Sequence, residues 1–151
     1  MALKLRDPML DLAAFGKGQF ECVWLRIPRE LVAIATVRVV LGGLASQQHV
    51  PLDRLDDLQL AVEMIIKEEL RVEGDELVLL ARAEQGKVCV RLDGLTNSSL
   101  REALLYKGKP RADHISPLPL DMSLVLSSLV EGYEVLDSGE CFAVQMTKHT
   151  R

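Results

Sequence analysis

Residues 55–69, LDDLQLAVEMIIKEE, constrain this chain more than any other stretch. Leu58, Ala61, Val62, Ile65 and Ile66 recur at i, i+3, i+4, i+7 and i+8. That spacing puts five apolar side chains on one face of a helix. Such a stripe must be buried against another layer of structure. Off the stripe, Glu63 and Lys67 stand one turn apart.

The rest of the chain supplies the other layer. Residues 20–27 read as a strand with both faces partly apolar, closed by Pro28. Leu31, Ile34, Ala35, Arg38 and Leu41 continue at helical spacing, with Gly42-Gly43 as a cap or bend in a helix that otherwise runs to Gln47 or Gln48. Asp53 is the expected N-cap of the next helix, and Asp56 adds negative charge near its N-terminus. Residues 76–84 and 87–93 read as strands joined at Gln85-Gly86. Ser98 is expected to cap a short helix over 98–106. A polar, proline-punctuated loop, KGKPRADHISPL, follows at 107–118. Asp121 caps a helix with the face Met122, Val125, Leu126, Leu129 and Val130, which Gly132 stops. A final hairpin over 133–136 and 141–147 turns at Asp137-Ser138-Gly139, with Phe142, Val144 and Met146 on one face, and a frayed tail is expected beyond. This order predicts an α+β fold: a two-layer sandwich, with a mostly antiparallel mixed sheet covered on one face by helices. The chain divides into an N-terminal extension over 1–18, a single domain over 19–148 and a tail over 149–151.

Composition narrows the function classes. The 151 residues are 48% apolar, enough for a real core, yet only 4% aromatic, so that core is built of Leu, Val, Ile and Ala. A net charge of −4 spread through 26% charged residues argues against direct nucleic-acid binding, which needs a basic face. No apolar run approaches the ~18 residues of a membrane helix, and the first 18 residues do not read as a secretory leader. Cys22, Cys89 and Cys141 are odd in number and widely spaced, as expected of buried thiols in a reducing cytoplasm. They lack zinc spacing, and His49, His114 and His149 share no ligand pattern, so no metal site is expected among these residues. Trp24, the single tryptophan, marks core or a protein interface. No Ser-His-Asp or Cys-His set is present.

The element order, with RIPRELVAIATVRVVLGGL, LDDLQLAVEMIIKEE and MSLVLSSLVEGYEVLDSGECFAVQMTK, resembles the ATPase domain shared by histidine kinases, gyrase and Hsp90, over roughly 20–148. Within that histidine-kinase-like ATPase fold it is most similar to the small bacterial anti-sigma regulatory proteins. The resemblance implies three nucleotide boxes. The first reads Glu-x-x-x-Asn, its Asn holding magnesium. Here Glu63 keeps the acid and Lys67 replaces the Asn, and a charged ammonium donates but cannot ligate a metal. The second is an Asp that reads adenine in Asp-x-Gly-x-Gly. Asp93 stands there, followed by Gly94-Leu95-Thr96-Asn97, with one glycine out of register and the other absent. The third is a glycine-rich turn before the last helix, which here reads Leu120-Asp121-Met122-Ser123; side chains fill the space glycines leave open, and Asp121 brings negative charge toward phosphate.

Each box also has a plain structural reading. Glu63 and Lys67 form a favourable i,i+4 salt bridge worth about 0.2–0.5 kcal/mol. Asp93-Gly94 is an ordinary turn pair. The basic stretch 107–111 is a solvated loop, or else a remnant lid or a docking loop. Lys67 could also stand in for the magnesium charge and touch phosphate directly.

The resemblance implies a cytoplasmic regulatory protein that binds a sigma factor or an anti-sigma antagonist related to the sulfate-transporter-and-anti-sigma-antagonist domain, and it implies dimerisation. Three departures in three boxes point to nucleotide binding weakened or lost, with no cofactor. The alternative is an active serine/threonine kinase phosphorylating its antagonist, with ATP and magnesium as cofactors, Glu63 catalytic and Asp93 on adenine. A third reading is a sensing or scaffold module that kept only the fold.

Overall fold

A computed structural model describes residues 22–84, 86–106 and 121–151. Its elements run β1 (Cys22–Ile27), α1 (Val32–Gln47), α2 (Leu52–Glu69), β2 (Leu77–Glu84), β3 (Lys87–Leu95), α3 (Ser98–Leu105), α4 (Met122–Leu129), β4 (Gly132–Ser138) and β5 (Cys141–His149). The strands make one sheet in the order β1-β2-β3-β5-β4. All four pairings are antiparallel, which narrows the mostly antiparallel sheet expected from the sequence.

The core lies where the stripe of α2 meets the sheet. Leu58, Ala61, Val62, Ile65 and Ile66 are all at most 2% exposed. They share one cluster with Leu77, Leu79, Val90, Leu92, Val144 and Met146 from the strands and Val37 and Leu41 from α1. Alternate residues point to opposite sheet faces, so Val78, Leu80 and Cys89 form a second, smaller cluster with Cys22 and Trp24 on the face away from the helices. That places Trp24 on the sheet's second face, half-buried.

Local chemistry differs from expectation in several places. Pro51 occupies the N-cap of α2, without a side-chain cap, and Asp53 sits one step inside the first turn. Proline supplies the fixed backbone angle there while Asp53 still offsets the helix dipole. Asn97, not Ser98, caps α3 through a hydrogen bond from Leu100 N to its Oδ1 (3.1 Å). Asp121 caps α4 as expected. Gly42 and Gly43 lie inside α1, which runs to Gln47. The expected frayed tail is strand as far as His149, and Thr150 N donates to Gly86 O (3.0 Å). The N-terminal extension over 1–18, Phe20 at the strand start, the 107–111 loop, His114 and Leu120 all lie outside the described residues. No described helix is long and apolar enough to cross a membrane.

Candidate functional site

Glu63 comes from the middle of α2 but on the flank that meets α1. Its side chain is buried, 4% exposed, and it accepts a hydrogen bond and ion pair from Arg38 Nε of α1. That bond, reinforced by the Glu63 charge, raises the Arg38 pKa further, keeping the guanidinium protonated. Gln59 Nε2 donates to Arg38 O (3.1 Å), fastening the same seam. The expected Glu63–Lys67 bridge is therefore replaced by a bridge between helices. Lys67 is exposed, and among the described residues no ion pair is recorded for it.

Asp93 follows from strand alternation. Val88, Val90 and Leu92 enter the core under the helices and Cys89 belongs to the opposite cluster. Arg91 and Asp93 share the parity of Cys89 and stand on that opposite face. Asp93 Oδ2 accepts from Arg91 Nη2 (3.0 Å), and Oδ1 accepts from Gly94 N (3.0 Å). Glu63 and Lys67 sit on a helix packed over the other face, so the fold does not bring Asp93 to them.

Gly94 has its own explanation. Its φ is +82°, a region that L side chains rarely adopt. The register with β5 shifts between Leu92 and Leu95, and a Cβ at 94 would stand 3.1 Å from Glu76 O. The glycine thus serves a bulge that turns β3 toward α3.

The third position is also filled. Asp121 Oδ1 accepts from Leu124 N (3.0 Å), taking one of the amides at the N-terminus of α4. Ser123 is buried, and its Oγ shares a hydrogen bond with the Tyr133 hydroxyl (2.8 Å), which donates to Leu104 O (2.7 Å). Burial raises the Tyr133 pKa, against the Ser123 hydrogen bond, which lowers it. The phenol therefore stays neutral and links the end of α3 to the start of α4.

A network that the sequence reading did not single out lies beside these positions. Glu69 is 0% exposed. Its Oε1 accepts from Arg29 Nη1 (2.6 Å), Thr96 N (2.7 Å) and Thr96 Oγ1 (3.0 Å), and its Oε2 from Asn97 N (3.1 Å). Asn97 Nδ2 donates to Glu68 O (2.8 Å). Arg29 also donates to Asp75 O (3.0 Å) and Gly94 O (3.2 Å). A Cβ at Gly74 would run into that guanidinium. The network ties the β1–α1 loop, the end of α2 and the β3–α3 turn together. A signal for it was present: Glu69 continues the stripe of Leu58, Val62, Ile65 and Ile66, and a carboxylate on an apolar stripe requires partners.

Other chemistry is thin. Among the clefts are two formed by described residues. One is lined by Arg29, Leu70, Val72, Glu73, Gly74 and Asp75, the other by Ser123, Leu124, Ser127, Val130, Glu131, Gly132 and Tyr133. Neither includes Glu63, Lys67 or Asp93. Among the described residues, no three His, Cys, Asp or Glu side chains converge as metal ligands. The three cysteines are free thiols. Burial raises the Cys22 pKa, partly offset by Arg82. Burial also raises that of Cys141, helped by the charge of Asp93. Both remain protonated and weakly nucleophilic at neutral pH.

No family model matches the chain, and no curated protein matches it. Solved structures do. The crystal structure of the SiaB-SiaC complex from Pseudomonas aeruginosa superposes at a TM-score of 0.60 with 9% identity, over 96% of this chain and 99% of that one. The crystal structure of the RsbU and RsbW domains of Rv1364c from Mycobacterium tuberculosis superposes at 0.58 with 13% identity, over 85% of this chain. This chain spans 32% of that longer one. At such identities the likeness is one of fold: the protein is an α+β sandwich of the architecture found in these two structures.

Proposed function

We propose that this is a regulatory protein of the anti-sigma type that acts by binding a protein partner, with nucleotide binding weakened or lost. The observation that carries this reading is the dispersal of the three boxes. Glu63 is sealed by Arg38 in a helix seam, Asp93 is paired with Arg91 on the far sheet face, and Asp121 and Ser123 spend their polar atoms on α4 and Tyr133. These residues do not fit magnesium and ATP as a set, since Lys67 offers only an ammonium where the metal needs an oxygen. The likeness to structures containing an RsbW domain or a SiaB-SiaC assembly supports a sigma factor or an anti-sigma antagonist as the partner. The mechanism is sequestration: one surface masks the partner and a competitor frees it.

MgATP titrated into the purified protein tests the nucleotide half. A ligand present at a thousand times its Kd stabilises a fold by about 4 kcal/mol, a melting shift of several degrees. We expect no shift and no heat at millimolar MgATP. Micromolar binding would overturn this reading in favour of the serine/threonine kinase. Lys67→Asn is expected to leave affinity unchanged, because Asp93 stays on the opposite face; a clear gain in that single variant counts against the reading. The partner half is tested by capture from the native cell, where recovery of neither a sigma factor nor an antagonist-type protein contradicts it.

A further inference from the structure

The sheet face away from the helices is sealed more tightly than the elements described on it explain. Val78 is 6% exposed, Leu80 1% and Cys89 2%. Ala143, which alternation turns to the same face between Phe142 and Val144 of the core, is 1% exposed. Charged side chains there are shielded too: those of Arg82 and Arg91 are 16% and 12% exposed, and those of their acids, Glu84 and Asp93, 17% each. A bare sheet face leaves such residues in water. Among the described residues the cluster on this face draws only on β1, β2 and β3, while all four described helices pack into the other one. Trp24 stands on β1 at the sheet's edge. Ala143 lies three strand spacings away, about 14 Å, beyond the cover one indole gives.

We infer that residues 9–15 fold back from β1 as a strap over this face. The segment joins the sheet at Cys22, whose side chain belongs to the same cluster. Met9, Leu10, Leu12, Ala13, Ala14 and Phe15 give it the apolar surface the cluster needs, in a run broken by one charge, Asp11. Residues 16–21 link it to β1; extended, they reach roughly 20 Å, enough to cross from β1 to β5. Gly16 and Gly18 allow the reversal that this path requires. The other long stretch outside the described residues, 107–120, connects α3 to α4, so it begins and ends on the helical layer. A strap here closes one face of the sheet to any partner and leaves the helical layer and the sheet edges to bind one. The inference rests on the burial of this face and is independent of the nucleotide site.

Trp24 is the single tryptophan, and Cys22, Cys89 and, by alternation, Cys141 lie on this face, so fluorescence and thiol labelling both read it. In the full-length wild type, Trp24 should emit to the blue of the unfolded chain and resist acrylamide at every concentration through the micromolar range. Leu10→Asp/Leu12→Asp should shift the emission to the red, open Trp24 to acrylamide and speed thiol labelling roughly tenfold, with far-UV circular dichroism unchanged. The milder Leu10→Ala/Leu12→Ala should move the same readings in the same direction, and decides the matter if the aspartates prevent folding. Ile115→Asp/Leu118→Asp, in the 107–120 stretch, should move none of them. A wild-type Trp24 open to water overturns the inference, as do unchanged readings in both N-terminal variants. Opening by the Ile115→Asp/Leu118→Asp pair instead would assign the cover to that stretch, and quenching that grows on dilution would assign it to a second copy; either result overturns the inference.

Discussion

Glu69→Ala should lower stability by about 3–5 kcal/mol, the range for breaking a buried ion pair by removing one partner. The variant strands the Arg29 guanidinium, whose side chain is 9% exposed. It also removes the acceptor from Thr96 N and Asn97 N, and unsatisfied buried donors add to the loss. Against a typical domain stability of about 5–15 kcal/mol, that is a large fraction. Urea unfolding followed by circular dichroism measures it. Arg29→Met should cost a similar amount. The double variant Arg29→Met/Glu69→Met should lose clearly less than the sum, since no charge is left alone in the interior. Strict additivity would show that the two side chains act independently and that the clamp is not a unit.

Gly94→Val should cost about 1–3 kcal/mol, the usual penalty for forcing a side chain into a left-handed backbone conformation. A β-branched residue is among the least tolerant of that region, and the added Cβ presses on Glu76 O at 3.1 Å. The loss should appear as a lower urea midpoint with an unchanged slope. Asp93→Asn keeps the side chain's shape and a hydrogen-bond acceptor, so it should move the midpoint less than Gly94→Val does. The opposite ranking would mean that position 93, not the bulge, holds the turn.

The element order, the stripe of α2 and the hairpins were legible because burial imposes periods of 3.6 and 2 on the chain. Local spacing failed where the partner comes from another element. Glu63 and Lys67 look like a pair because they are four apart, yet a charge from α1 reaches Glu63 first. Asp93 is different: the run Val88, Val90, Leu92 itself puts it on the face opposite the core residues. The caps divided for a similar reason. Asp121 is isolated before its helix and was read correctly. Asn97 and Ser98 are adjacent and both competent to cap, and the neighbouring Glu68 carbonyl, invisible in sequence, holds Asn97 in place.

The position of β5 between β3 and β4 shapes how the chain can be made. β3 pairs Cys89 with Thr147, so its outer edge stays open until β5 has been made. Such late, non-local pairing slows folding and leaves a strand edge available to other chains in the meantime. A chain cut before residue 141 would keep β1, β2 and β3 paired with that edge bare. Residues 141–149 are thus the segment whose loss would leave the β3 edge without its partner strand.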